Sequence, residues 1–359
     1  MKKVLLASTA LVGLAGMAAA EVSISGSAEL GIVGGSRYDD NVQFFNDVDV
    51  TFSMTGETDG GLQFGVSVDL DEAATLDPDS ASSFDSELDD IGGYAIFISG
   101  NFGRVTVGDT DGALDFALQE INVGHPGSID DSETEHPGFF GSYHDGAGFY
   151  DGQIVRYEYS FDAFTVAVSV EQGQSTTDLD TDGDGFVVAG VDEQSVEALD
   201  TAFAIGARYT FDLAAGSIVV GAGYQSIDAD AVGGLLEDGN AARTADETAD
   251  IFGISVTGNF DSGFSAVLNY VDGDIAGIEG SNYVGVGAAY SFDALTLAAN
   301  YGMFDFGDDS EADGFALNVG YDLGGGMSVL AAYSDGTVTD AAGNDEEFDS
   351  FSLGLSMSF

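Results

Sequence analysis

The chain has no cysteine among its 359 residues, so no disulfide can staple the fold. It has three prolines, which leaves extended strands free to run without interruption. Its only lysines are Lys2 and Lys3; together with five arginines they stand against 63 acidic residues, for a formal net charge of −56. Nucleic acid is excluded as a partner, because neutralising phosphates takes Lys and Arg. So acidic a chain repels itself, which points to surroundings rich in salt or divalent cations. After residue 20 no stretch approaches the roughly 18 apolar residues of a membrane helix.

What is present begins with an export signal. "MKK" is a positive start, "VLLASTALVGLAGM" an apolar middle, and Ala18-Ala19-Ala20 a small-residue cleavage site before Glu21. Residues 1–20 therefore read as a secretory signal peptide and 21–359 as the mature chain. Glycine is abundant, at 52, and Phe and Tyr number 26 and 14.

Alternation sets the class. In the final "SFSLGLSMSF", Phe351, Leu353, Leu355, Met357 and Phe359 share one face, and serines and Gly354 take the other. Near the mature N-terminus Val22, Ile24, Ala28, Leu30 and Ile32 oppose Ser23, Ser25, Ser27, Glu29 and Gly31. Period two means strands with one apolar and one polar face. A soluble sandwich also alternates. Three features favour a barrel in a membrane instead. The strands run about ten residues. Aromatics cluster at strand ends. Connections alternate short and long along the chain. The polar faces are rich in Gly, Ser and Asn, which suits a wet lumen.

The expected strands are 22–33, 43–56, 62–71, 89–100, 103–110, 153–161, 163–171, 199–212, 216–226, 247–260, 263–272, 280–292, 295–304, 313–323, 326–335 and 347–359. An even count puts both ends on the periplasmic side, so the first strand can pair with the last. The fold class is thus all-β: a transmembrane antiparallel β-barrel of sixteen strands, wide enough to hold an aqueous channel. The repeated phrases "YSFDAFTVAV", "YTFDLAAGSIVV" and "YSFDALTLAA" read as tight periplasmic turns beside an aromatic girdle.

One stretch carries a family resemblance. "GNFGRVTVGD" at 100–109, followed by a long connection, resembles the hairpin before the constriction loop of general bacterial porins. The terminal Phe359 is similar to the sorting signal of outer-membrane barrels. With the signal peptide, "YDLGGGMS" at 321–328 and the Gly108-Asp109 junction, the chain most resembles porins of photosynthetic and marine alphaproteobacteria, the Rhodobacter type. The resemblance implies a homotrimer, with the third long loop folded inward as a size filter. Many enterobacterial porins carry Arg where this chain has Asp109, so their eyelet charges do not transfer.

Loop 3 spans about 109–152, far longer than ordinary connections. Apolar Leu114, Phe116, Leu118 and Ile121 could anchor a short helix around 112–122 against the wall. Asp109, Asp111, Asp115, Glu120, Asp130, Asp131, Glu133 and Glu135 are its candidate constriction acids. On the wall, alternation turns Arg104, Arg156, Glu158 and Arg208 into the lumen, since charge facing lipid would cost about 2–4 kcal/mol at midplane. The arginines are expected to face the loop acids across the opening, and acids to dominate overall. The expectation is a general diffusion channel for ions and small hydrophilic solutes, selective for cations.

Other chemistries leave weaker marks. Asp180, Asp182, Asp184 and Gly185 fit the start of a calcium loop, but Val191 stands where the bidentate Glu belongs. Weak calcium binding in acidic loops is one reading and a solvated loop the other; no cofactor is required. Clustered loop acids could also share divalent ions with lipopolysaccharide phosphates. All three histidines, His125, His136 and His144, lie in loop 3, two of them in "HPG", where Pro-Gly sets turns. No His lies on an expected strand to activate a serine, so no enzyme is expected. The alternatives are a solute-selective channel or a non-conducting structural or adhesive barrel.

Overall fold

The structure, a computed structural model, describes residues 21–71, 93–141, 153–172, 201–228, 248–275, 278–307 and 310–359. Sixteen strands form one closed antiparallel barrel, each paired with its neighbours in sequence. The first eight are β1 Glu21–Gly35, β2 Asn41–Glu57, β3 Gln63–Asp71, β4 Tyr94–Gly100, β5 Gly103–Gly108, β6 Gln153–Phe161, β7 Phe164–Gln172 and β8 Thr201–Leu213. The rest are β9 Gly216–Asp228, β10 Thr248–Phe260, β11 Phe264–Ile275, β12 Ile278–Phe292, β13 Leu295–Asp305, β14 Glu311–Gly324, β15 Met327–Thr339 and β16 Asp345–Ser358. One short helix, α1 Ala113–Ala117, lies in loop 3. Every expected strand is present. The edges differ most at β4, which starts at Tyr94 rather than 89, and at β15, which runs on to Thr339.

Closure comes from β1 against β16. Leu30 stands opposite Leu355 and Ile32 opposite Leu353. No strand edge is left open, which in hydrocarbon would strand N–H and C=O groups without partners. The period-two pattern then fixes inside and outside. Leu268, Val286, Leu317 and Leu353 all project outward with about half their surface exposed (55%, 47%, 49% and 48%). Their strand neighbours Asn269, Asn318 and Ser352 point inward and are buried. An apolar exterior around a polar interior inverts the arrangement of a soluble protein and suits a lipid solvent.

The short turns share the end that holds the chain termini. In "SFDA", Phe161 pairs with Phe164, and Phe292 with Leu295, leaving Asp-Ala to turn. Asp162 and Asp293 adopt φ of 55° and 53°, a left-handed conformation that Asp tolerates. The aromatics beside these turns contact one another. The rings of Tyr159 and Phe161 lie 6.2 Å apart, those of Phe161 and Phe164 5.1 Å, and those of Tyr209 and Phe211 4.6 Å. Together they form one girdle of amphipathic and apolar rings where a bilayer meets water.

A charge on the outer wall tests the assignment of faces. Leu268→Arg is expected to cost about 2–4 kcal/mol if it lies near midplane. Urea titration of folding into lipid vesicles measures this, and a cost near zero would contradict a lipid-facing Leu268.

Candidate channel constriction

Loop 3 turns into the barrel directly after β5 and lies along the inner wall. The expected helix is shorter than 112–122, but its anchors hold: Leu114, Leu118 and Ile121 are buried, and Phe116 packs against the same cluster. Wall groups satisfy the loop's backbone. The Ala113 N–H donates to Ser169 Oγ at 2.8 Å and the Gln119 N–H to Ser255 Oγ at 3.1 Å. Asn269 Nδ2 donates to the Gln119 carbonyl at 2.9 Å. Farther along, Ile129 joins Val33 and Leu330, and His136 Nε2 lies 2.8 Å from Asn300 Oδ1. The Phe140 ring then packs on Tyr283 and Phe304, with centroids 5.2 and 5.1 Å away. An enclosed loop must pair its polar backbone, and here hydroxyls and amides of the wall supply the partners.

The arginines point inward as alternation requires, but they do not face the loop acids across an opening. They hold the loop to its own wall: α1 lies over β7, β8 and β9, with Arg208 on β8 beneath it and Arg156 on β6 beside them. Arg156 pairs with the Asp111 carboxylate at 3.2 Å and also donates to the Asp111 carbonyl at 2.7 Å. Arg208 donates to the carbonyl of Leu118 at 3.1 Å. The two guanidinium groups flank the Phe116 ring, 4.8 and 4.5 Å from its centroid. Glu158 lies between Arg104 and Arg156, at 3.9 and 3.8 Å. Arg104 also covers the Phe97 ring at 3.9 Å.

The candidate loop acids divide by exposure. Asp109, Asp111 and Asp131 are exposed, and Asp115, Glu120 and Glu135 are half-buried. Asp130 and Glu133 are buried. The Ser128 hydroxyl donates to Glu133, which a loop folded on itself brings close. The tentative calcium residues Asp180, Asp182 and Asp184 lie outside the described residues, as does His144. Among the described residues, no cluster of three or more His, Asp or Glu side chains is placed to hold a metal.

The open space lies elsewhere. A cavity of about 510 Å³ separates the loop segment 129–135 from the inner faces of β1, β2 and β3. Its wall carries Glu29, Asp47, Asp49 and Asp69, and its loop side carries Asp130, Asp131 and Glu135. Arg37, from the β1–β2 connection, is the one cation lining it and pairs with Glu135 at 3.0 Å. Sequence reasoning passed over Arg37, which lies in a short connection with no strand parity to place it. The wall acids did carry a signal: in "NDVDVTF" Asp47 and Asp49 alternate with outward valines.

Burial dominates the titration of this loop. It raises the carboxyls of Asp130 and Glu133 above the usual range. It lifts Glu135 to about 7, with Arg37 opposing the rise and Asp130, Asp131 and Glu133 adding to it. Burial lowers His125, and it lowers His136 to about 4 against the pull of the Asn300 hydrogen bond. A carboxyl raised on folding binds its proton more tightly in the folded state. Its contribution to stability is therefore complete below about 4.5 and lost as pH rises to about 7. Glu135→Gln removes that loss. The melting temperature of the variant minus that of the wild type is expected to grow between pH 4.5 and 7 and to level off beyond. A difference independent of pH, read by the heat-induced gel shift of the barrel, would refute it.

Comparison with known proteins agrees with this geometry. A family model for Gram-negative porins matches residues 7–356. A porin of Rhodobacter capsulatus is 27% identical over 322 residues, covering 88% of this chain and 94% of its own. A porin structure refined at 1.8 Å resolution superposes with a TM-score of 0.65 at 21% identity, over 94% of this chain and all of that one. A variant of Rh. blastica porin gives 0.59 at 17% identity, with the same coverage. With a closed sixteen-strand barrel, an apolar exterior and a family match over nearly its whole length, the chain belongs to the Gram-negative porins.

Proposed function

We propose that this porin is a general diffusion channel of the outer membrane, passing ions and small hydrophilic solutes down their gradients and favouring cations. The observation that carries the reading is the cavity between loop 3 and β1–β3, where acids on both sides meet a single arginine. In water-filled space narrower than a Debye length of about 8 Å, unpaired carboxylates concentrate cations and repel anions. The other described arginines, Arg104, Arg156 and Arg208, are engaged with Glu158, Asp111 or the loop backbone and do not offset these acids. The fold and family are those of a channel, and the reading needs no catalytic group and no cofactor.

The proposal extends to export by the segment 1–20, to a homotrimer in the membrane, and to contact with outer-membrane lipid and lipopolysaccharide. Weak calcium binding through Asp180, Asp182 and Asp184 rests on sequence pattern alone.

Reversal potential across a salt gradient in a planar bilayer tests the charge preference. Cation selectivity is expected at low salt and is expected to fade as salt rises; anion preference would overturn it. Asp47→Asn with Asp49→Asn is expected to weaken the preference, while Arg37→Gln strengthens it. Selectivity that ignores all three changes would place the constriction elsewhere. As pH falls through about 7, Glu135 takes up its proton, so the wild-type preference is expected to decline. That decline is expected to be shallower in Glu135→Gln.

A further inference from the structure

The inner wall is notched where loop 3 touches it. Strand register aligns glycines into two cross-strand rows. Gly206 stands opposite Gly223, and Gly223 opposite Gly253, across β8, β9 and β10. Gly285, Gly302, Gly314 and Gly336 stand opposite one another in turn across β12, β13, β14 and β15. A row of residues without side chains is a groove in the sheet surface.

Each groove holds part of loop 3. In the first, a Cβ on Gly206 would overlap the Ala113 carbonyl oxygen, and one on Gly253 would overlap Leu118 Cδ1. A Cβ on Gly223 would come within 2.8 Å of Leu114 Cδ1. The helix α1 and the residue that ends it therefore lie along this groove. In the second, a Cβ on Gly302 would overlap the Gly138 carbonyl oxygen. One on Gly314 would lie 2.8 Å from His136 Nδ1; one on Gly336 would lie 2.6 Å from Pro137 Cδ, though closer still to the Asp313 carbonyl oxygen of the neighbouring strand. Close approach of one backbone to another is what glycine permits in a strand interior. These positions have ordinary strand conformation, with no left-handed φ to require glycine. Propensity argues against glycine there as well, since it weakens a strand. The loop gives a further reason for it, shared at Gly285 and Gly302 with the Tyr283 side chain of the wall.

We propose that the two glycine grooves are the positioning elements of the channel: they seat loop 3 flush against β8–β15 and so keep the space beside β1–β3 open. The second groove takes the "HPG" at 136–138, where wall and loop glycines meet backbone to backbone. This inference rests on the porin reading above, in which the space left by loop 3 conducts. A methyl group added in a groove pushes the loop toward the open side, because an oxygen held at overlap must retreat to van der Waals separation and the barrel wall, fixed by its ladder, cannot. The acids then supply the charge preference, and the grooves set the width.

Single-channel conductance and liposome swelling with graded sugars test this, on full-length protein whose folding is verified by heat-modifiable gel migration. Gly206→Ala and Gly302→Ala are expected to lose conductance and to pass a narrower range of sugars than wild type. Gly258→Ala is the control in the same sheet: it faces lipid on β10, meets only the Phe260 ring, and is expected to conduct as wild type. Gly253→Ala is expected to lose conductance as well, and Leu118→Ala in the same chain to restore it, since the overlap there is with Leu118 alone. A merely structural role for the grooves would not produce such compensation. Folded groove variants with wild-type conductance and cutoff would overturn the proposal. If Gly206→Ala and Gly302→Ala fail to fold, the Gly253–Leu118 pair decides: additive effects, or no effect of Gly253→Ala, overturn it. A wild-type protein that conducts nothing would refute the porin reading itself, a result distinct from either.

Discussion

Hydrocarbon offers no partner to a backbone N–H or C=O, and each one left unpaired costs several kcal/mol. A sheet can meet that demand only by closing on itself. Here closure falls between β1 and β16, where Ala28 meets Met357 and Ile32 meets Leu353. Two consequences follow. The apolar face must turn outward, as Leu268 and Val286 do. A ring of sixteen strands also encloses more space than wall side chains can fill. What fills it must be brought in, and loop 3 is the segment placed to do so.

Seating an acidic loop inside an acidic protein is an electrostatic problem, and five arginines do not solve it by themselves. Arg37, Arg156 and Arg208 are committed to the loop. The rest of the work falls to neutral groups. Ser169, Ser255 and Asn269 satisfy the loop's backbone, and Leu114, Leu118, Ile121 and Ile129 bury its apolar side. Burial also pushes the acids at 130, 133 and 135 toward their protonated forms, which relieves repulsion without any cation. The loop is therefore held mainly by packing and hydrogen bonds, which salt does not screen.

All sixteen strands were legible because lipid outside and water inside impose a strict alternation, and a one-residue slip would reverse every side chain. The inward turn of Arg104, Arg156 and Arg208 followed from the same parity. What these residues touch did not, because parity gives the face of a strand and not what lies over it. The polar faces were rich in Gly, Ser and Asn, which read as suiting a wet lumen. In the structure the loop covers much of that surface, so Asn269 and Ser352 are buried. Asp130 and Asp131 are adjacent in sequence and alike in charge, yet one is buried and the other exposed. Only the course of the loop separates them.

That course also decides which charges count. Composition alone makes every inward acid a candidate for ion selectivity, but a carboxylate bonded to a guanidinium presents little net field. Along β5–β8 the inward charges neutralise one another or bind the loop. Along β1–β3 the inward acids Glu29, Asp47, Asp49 and Asp69 face open space with only Arg37 near, and Arg37 is already held by Glu135. The loop thus divides the lumen into a neutralised side that carries it and a charged side that it leaves bare. The cation preference proposed for this channel rests on that division more than on the total charge. A homologous barrel with the same composition and a loop seated on β1–β3 would present its arginine-bearing wall to the solute instead.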